Sequence, residues 1–272
     1  VNAVDSNGYV IATIVGPPLA AALVALFGGA VALIGVALAF GLAAVTMIGV
    51  PDPESETAST GRLLVDAWQG VVYWWRNRTL RGLGFGITAQ NIAFGMNTIL
   101  IPVLVLRTLG GSELQVGLVF AVSGVSGMIS ALLFGRVDSR GREWRMLVVP
   151  MLLLAPAYAL ILPVASGAAV APIGFVLLGL SSLIVGFLVG PMDIALFTVR
   201  QRRTDPAWMG RAFAVSMAFN FMGYPIGAAI GGLLVAISLT GAVGFGVAAL
   251  IAGCVLAATI VPRQAPEAGP AS

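Results

Sequence analysis

Lysine and histidine are missing from this sequence of 272 residues, and all 14 basic residues are arginines. The chain therefore offers neither a lysine amine for Schiff-base chemistry nor an imidazole for acid–base catalysis or metal binding. Its single cysteine, Cys254, lies in an apolar run, where we expect it to serve packing. These absences exclude most enzyme mechanisms, and we expect neither an enzyme nor a bound cofactor or metal.

Charged residues of either sign are also scarce. They fill 9% of the sequence, hydrophobic residues fill 59%, and the mean hydropathy is +1.02, whereas soluble domains carry about 25% charged residues. Most of the chain must therefore be solvated by lipid. The net charge of +3 comes from arginines in short loops, which indicates membrane topology rather than nucleic-acid binding.

Long apolar segments dominate what is present. About 20 apolar residues cross the hydrocarbon core as a helix, and eight segments reach that length. They predict an all-α polytopic membrane protein with spans near residues 8–27, 29–50, 83–106, 113–135, 146–165, 168–199, 212–236 and 240–261.

The arginines are confined to alternate loops. Four lie within residues 62–81, four within 136–145 and four within 200–211, whereas the intervening loops are nearly uncharged. Because cytoplasmic loops retain arginine, we expect an even number of spans with both chain ends in the cytoplasm. The expected location is the cell inner (cytoplasmic) membrane.

One connection, residues 51–82, is much longer than the others. It opens with the acidic stretch PDPESETAST, and apolar residues then recur at near-helical spacing: Leu64, Ala67, Trp68, Val71, Val72, Trp74 and Trp75. Two interpretations remain open, an amphipathic helix in the headgroup layer or the aromatic belt of the third span. Either makes this segment a cytoplasmic tether between two helical blocks.

An internal repeat is indicated by GPPLAAALVALFG at 16–28 and YPIGAAIGGLLVA at 224–236, each followed by a turn and one further span. Residues 1–50 would then be the last two helices of a first half, 83–262 a six-helix second half and 263–272 a cytoplasmic tail. Transporters are commonly built from such repeated halves. Since a complete first half would need about four more spans before Val1, we expect the chain to be a fragment.

The loop GRVDSRGRE at 135–143 resembles a short cytoplasmic motif of the major facilitator superfamily. The resemblance implies a twelve-helix transporter fold, of which this chain would supply helices 5–12, and a gating loop that acts as a charge latch between two helices. Charge-assisted hydrogen bonds at a helix end, together only a few kcal/mol, suit a reversible switch. The alternative is a solvated loop whose arginines only set topology. The resemblance assigns the latch to Gly135, Asp138, Arg140, Gly141 and Arg142.

Two further segments carry the resemblance. VGPPLAA at 15–21 resembles the Gly-Pro motif of the fifth helix in proton-driven antiporters, which the family associates with export. Glycine and proline let helices approach and bend, although a generic kinked packing helix is the alternative. The loop QRRTDPAWMGRAFA at 201–214 is similar to that of macrolide and siderophore exporter relatives. The helix-packing motif comprises Gly16, Pro17, Ala20 and Ala21.

Polar side chains inside the predicted spans are candidates for proton or substrate handling, because a charge at membrane depth is costly. Asp193 lies about 10 Å from the cytoplasmic end of its helix. The alternative is a structural ion pair: Arg200, seven residues later, lies on the same face, and water or an arginine of another helix would bridge the pair. The uncharged candidates, for which interhelical hydrogen bonding is the alternative, are Gln90, Asn91, Asn97 and Asn220.

The leading hypothesis is a secondary active transporter that exports hydrophobic or amphipathic small molecules in exchange for protons, by rocking one half against the other. Its partners would be the lipid bilayer, the substrate and protons, without nucleic acid. The alternative is a truncated or non-transporting membrane scaffold that keeps the fold. The sequence predicts neither the substrate's identity nor an oligomeric state.

Overall fold

The structure, a computed structural model, describes residues 30–48, 63–135, 139 and 141–263, and the regular elements among them are all helical. The chain divides into two compact units between Ala58 and Ser59. In the described part of the first unit lies one apolar helix, α1 (Ala30–Thr46), which corresponds to the span predicted at 29–50. The span predicted at 8–27 lies outside the described residues.

The second unit contains one shorter amphipathic helix, six long apolar helices and the short turns that extend them. A π-helical turn, Leu104–Thr108, follows α3; a 3-10 turn, Pro206–Trp208, precedes α8. In chain order the helices are α2 (Leu63–Arg76), α3 (Arg78–Val103), α4 (Glu113–Phe134), α5 (Glu143–Ala159), α6 (Leu162–Ala165), α7 (Ala171–Arg202), α8 (Met209–Ile237) and α9 (Leu239–Ile260).

Six helices of this unit, counted with their terminal turns, are long and apolar enough to cross a membrane. They confirm an all-α polytopic membrane protein and match the last six predicted spans. Two helices begin well before their predicted starts: α3 begins at Arg78 rather than Leu83, and α5 at Glu143 rather than Met146. In α3 the reason is a cap, because the Asn77 side chain accepts the Leu80 N–H at 3.1 Å and so holds a polar first turn in the helix.

Glycines bring the helix backbones close together. A Cβ at Gly227 of α8 would lie 2.0 Å from the Ile92 carbonyl oxygen of α3, and one at Gly186 of α7 would lie 2.1 Å from the Ser123 carbonyl oxygen of α4. Without a hydrophobic driving force between helices in lipid, such close packing is a main source of association. The pairs α3–α8 and α4–α7 are therefore fixed by these small residues.

The apolar core lies among α3, α5, α7 and α9. Leu100, Leu147, Leu154 and Leu178 are fully buried there. On α4 and α8, by contrast, large apolar side chains are exposed, as at Leu233, which is 69% exposed. An apolar outer surface of this kind is suited to lipid or to further membrane helices.

The first turns of α3 and α5 and the last turns of α7 and α9 meet at one end of this unit, which we call the arginine end. Asn77 Nδ2 donates to the Arg203 carbonyl oxygen at 2.9 Å, and Trp144 Nε1 donates to the Val261 carbonyl oxygen at 3.2 Å. Arg202 forms an ion pair with Glu143. The helix ends that flank the arginine-rich loops at 136–145 and 200–211 therefore lie together.

The second half of the long connection folds as a separate helix, α2, as the first interpretation of that segment requires. Trp74 is fully buried and stacks on Phe219 of α8, with ring centroids 4.3 Å apart. Trp68, on another face of α2, is 67% exposed. An ion pair between Arg211 and Asp66, at 3.4 Å, also joins α2 to α8. The position of α2 in the headgroup layer stays a prediction.

Candidate functional site

The polar side chains predicted within the spans fall mainly where α3, α7 and α8 meet. Asn91 is buried, and its Nδ2 donates to the Asn220 carbonyl oxygen across the α3–α8 contact at 2.8 Å. Thr88, one turn earlier, donates to the Phe219 carbonyl oxygen at 2.8 Å. The structure therefore gives Asn91 an interhelical hydrogen bond, the alternative that we considered for it, and it brings Asn91 and Asn220 together.

Gln90 and Asn97 are placed differently. Gln90 is 1% exposed, and its Oε1 has no hydrogen-bond partner among the described residues. Asn97 is partly buried, and its Oδ1 is also without a partner in the described part of the chain. An unsatisfied buried amide oxygen costs about 1–3 kcal/mol. A hydrogen bond from a ligand or water that enters the bundle would therefore stabilise either side chain.

Arg200 lies at the centre of the polar region. Its side chain is fully buried although it carries a charge. The guanidinium lies over two aromatic rings, 5.5 Å from the centroid of Phe197 and 5.4 Å from that of Phe213. Its Nη1 lies 3.4 Å from the Met217 sulfur. Cation–π contacts and a soft sulfur thus replace much of the water that the charge has lost.

Asn220 supplies the strong polar contact of Arg200. With its amide oriented to satisfy both neighbours, the Asn220 oxygen accepts from Arg200 Nη2 at 2.7 Å, and its nitrogen donates to the Ser216 carbonyl oxygen at 3.2 Å. The Nε of Arg200 and the Oγ of Ser216 have no partner among the described residues. The guanidinium is therefore held by α8 but keeps an unused donor.

Asp193 is partly buried on α7. It shares a face with Arg200, and Phe197, whose ring the Arg200 guanidinium covers, stands between the two along the helix. The two charges attract each other, but the ion pairs of the described residues do not include them at 4.0 Å or less. A structural pair bridged by water or by an arginine of another helix, the alternative considered for Asp193, stays a prediction.

The gating-loop residues are only partly described. Gly135 is the C-cap of α4, Gly141 adopts φ +74°, and Arg142 is the N-cap of α5. Asp138 and Arg140 lie outside the described residues. The helix-packing motif, Gly16, Pro17, Ala20 and Ala21, lies outside them as well.

The sequence did not indicate that Arg200 would be the buried centre of the site. It belongs to an arginine-rich loop by sequence, and we counted it among the charges that set topology. One of its two ring contacts and its sulfur contact come from Phe213 and Met217 of the next helix, on one face four residues apart. An arginine with aromatic residues at helical spacing in the following span is the signal that could have identified it.

The charged groups of this region are the Asp193 carboxylate and the Arg200 guanidinium. Among the residues that the structure describes, histidine, cysteine, aspartate and glutamate form no group of three that could hold a metal ion.

Comparisons with known proteins identify the family of the chain. The family model described as the Major Facilitator Superfamily matches residues 1–215 and again residues 83–272. A protein of Sinorhizobium fredii (strain NBRC 101917 / NGR234) that carries the name uncharacterized MFS-type transporter y4rN is 35% identical over 241 residues. The alignment covers 88% of this chain and 58% of that protein. The chain thus spans well under two thirds of the length of the relative it matches.

Proposed function

Because the chain belongs to the major facilitator superfamily, we propose that it forms the larger part of a proton-coupled secondary transporter that exports hydrophobic or amphipathic small molecules. Family membership points to a transporter rather than an enzyme. In this proposal residues 1–50 are the last two helices of the first half, 51–82 the tether, 83–262 the second half and 263–272 a cytoplasmic tail. The protein lies in the inner membrane of the cell, and both ends of the chain face the cytoplasm.

The state of Asp193 carries the proposal. Its side chain is partly accessible and has no ion pair within 4.0 Å among the described residues. The nearest buried positive charge, Arg200, is held by Asn220 and two aromatic rings. A carboxylate at membrane depth is stabilised by a nearby positive charge and destabilised by the loss of water. These opposing effects leave Asp193 able to change its charge. Proton uptake at one side of the membrane and release at the other requires such a group.

The surroundings of the charge pair favour a hydrophobic substrate. Phe197, Phe213 and Met217 surround the guanidinium. Aromatic rings and methionine bind apolar molecules of varied shape, and the rings also attract organic cations. An amphipathic cation would combine both contacts with the carboxylate of Asp193.

The gating loop would couple the charge change to movement of the helices. We assign this role to Gly135, Asp138, Arg140, Gly141 and Arg142. Gly141 has a left-handed backbone that favours glycine, and Arg142 stands at the start of α5. A carboxylate at position 138 would accept hydrogen bonds from neighbouring arginines or helix N-termini in one state and lose them in the other.

Efflux from cells tests the proposal. Cells that express the protein together with any upstream coding sequence are loaded with a lipophilic cationic dye, with and without an uncoupler. We expect uncoupler-sensitive loss of dye for the wild type, at least about tenfold slower loss for Asp193→Asn, and slow loss for Asp138→Asn. The control is Glu113→Gln, which removes an exposed carboxylate at the first residue of α4. This variant should transport normally.

Three results would count against the proposal. Dye loss that is insensitive to the uncoupler excludes proton coupling, and equal loss from Asp193→Asn and wild-type cells excludes Asp193 as the carrier. If cells that express comparable amounts of folded protein move none of several amphipathic dyes, the protein is a non-transporting scaffold.

A further inference from the structure

A cavity of about 590 Å³ opens at the arginine end, between the first turn of α3, the α7–α8 loop and the end of α9. Three arginines line it, Arg78, Arg202 and Arg203, together with one acidic residue, Asp205. Its volume lies within the range of small-molecule sites, about 300–1,000 Å³. The proposed transport mechanism gives none of these residues a role.

The backbone of the α9 end fixes two of the three arginines. Arg78 donates from Nε to the Ile260 carbonyl oxygen at 3.0 Å and from Nη2 to the Thr259 carbonyl oxygen at 3.3 Å. Arg203 donates from Nη1 to the Pro262 carbonyl oxygen at 2.7 Å. A guanidinium has five N–H donors, so these bonds position both groups and leave donors for a ligand. The positive wall of the cavity is therefore already in place.

The charges around the cavity are not balanced. Arg202 is paired with Glu143, and an Asp205 carboxylate oxygen accepts the Ala207 N–H at 2.9 Å. In the described ranges no carboxylate lies within 4.0 Å of Arg78 or Arg203. Partial burial lowers the pKa of Arg203 from its ordinary value, and the more distant Glu143 partly offsets this. An anion in the cavity would supply the missing negative charge.

We propose that this cavity binds a phosphate group, carried either by an anionic lipid headgroup or by a free solute. Guanidinium groups match phosphate oxygens with paired N–H donors. The cavity also lies where α3 begins and α7 and α9 end, at the level of lipid headgroups for helices that span a membrane. Basic pockets between spans at that level bind anionic headgroups. This inference goes beyond the transport function and stands without it.

Lipid retention measured by native mass spectrometry tests the site. The purified protein, with any upstream sequence, is mixed with phosphatidylglycerol or phosphatidylcholine in detergent. We expect selective retention of phosphatidylglycerol and at least about tenfold weaker retention by the double variant Arg78→Gln/Arg203→Gln. The matched control is Arg76→Gln/Arg145→Gln, which removes two exposed arginines outside the cavity and should bind as the wild type does.

A second variant guards against loss of folding, because Arg78 and Arg203 also hold the end of α9. Arg202→Gln removes a cavity guanidinium that makes no bond to α9 in the described structure, and we expect it to weaken retention too. A second measurement separates the two sources. If inorganic phosphate raises the unfolding temperature, free phosphate is a ligand. If phosphatidylglycerol raises it and inorganic phosphate does not, the lipid headgroup is the ligand.

Two outcomes would overturn the assignment. One is equal retention of both lipids with no effect of inorganic phosphate on unfolding. The other is equal loss of binding in the control double variant and in Arg78→Gln/Arg203→Gln, which would mean that general surface charge holds the lipid.

Discussion

A single buried arginine organises the candidate site. Arg200 is held by rings, a sulfur and an amide rather than by a carboxylate at salt-bridge distance in the described structure. A buried charge without a close partner is expensive, and proteins retain it mainly where its charge has a use. We therefore expect Arg200 to matter more for transport than for stability.

Two substitutions of Arg200 separate these effects. Arg200→Met fills the same space with an apolar side chain. Its free energy of unfolding should lie within about 1 kcal/mol of the wild-type value, because an apolar replacement removes the cost of the buried charge. Arg200→Ala leaves a cavity between Phe197 and Phe213 and should lose about 2–4 kcal/mol. Unfolding by denaturing detergent gives both values, and dye efflux should be lost in both variants. Normal efflux by Arg200→Met would show that the charge has no role in transport.

At the residue level the sequence predicted which polar side chains lie in the spans but not how they pair. Asn91 and Asn220 were separate candidates, and only the close α3–α8 contact shows that they are hydrogen-bonded. Periodicity gives the face of one helix, whereas pairing depends on which helices are neighbours and on their relative rotation. Asp138 and Arg140 stay predictions.

At the scale of helices, the bundle depends on glycines where backbones cross. Gly227 faces the Ile92 carbonyl of α3, whereas an added Cβ at Gly232, five residues later on α8, would meet no atom within 4 Å. The two positions have the same residue in the same helix and differ in packing. They therefore form a matched pair for substitution.

We expect Gly227→Ala to destabilise the protein by about 1–3 kcal/mol, since the methyl group forces α3 and α8 apart. Gly232→Ala should be neutral or stabilise the helix by up to about 1 kcal/mol, because alanine is the better helix former. Detergent-induced unfolding of the two variants side by side provides the measurement. Equal effects would mean that α3 and α8 do not cross as described.

The docking of α2 gives a second prediction at this scale. Trp74 is buried against Phe219 and Phe85, so Trp74→Ala should release α2 at a cost of about 3–5 kcal/mol. Hydrogen exchange would then rise over residues 63–76 while the six long helices stay protected. Trp68→Ala, at an exposed position of the same helix, should change exchange little. Unchanged protection in Trp74→Ala would show that other contacts hold α2.

The sequence predicted the number and order of the long helices in the second unit well, because about 20 apolar residues between polar loops is a strong signal. It predicted their ends less well. The first turns of α3 and α5 contain arginine, glutamate or threonine and look like loop, yet capping and contacts at the arginine end keep them helical. Hydropathy does not detect such contacts.

At the scale of the whole molecule, the chain belongs to a transporter family, and its second unit has six described helices long and apolar enough to span a membrane. We propose that the working transporter is built from two halves. In such a protein, a change of charge at one site must alter how the two rigid halves move against each other. Arg200 lies in the last turn of α7 and contacts Phe213 and Met217 of α8, whereas Asp193 lies about two turns earlier on α7. A change of charge at Asp193 would therefore reach α8 through Arg200.

Proton flux into liposomes tests whether Asp193 carries the proton that is exchanged for the substrate. The protein, with any upstream sequence, is reconstituted into vesicles that contain a pH-sensitive dye, and an outward gradient of a lipophilic cation is applied. We expect acidification of the vesicle interior by the wild type and by Glu113→Gln, and none by Asp193→Asn at equal incorporation. Substrate release without acidification, or acidification by Asp193→Asn at the wild-type rate, would contradict this expectation.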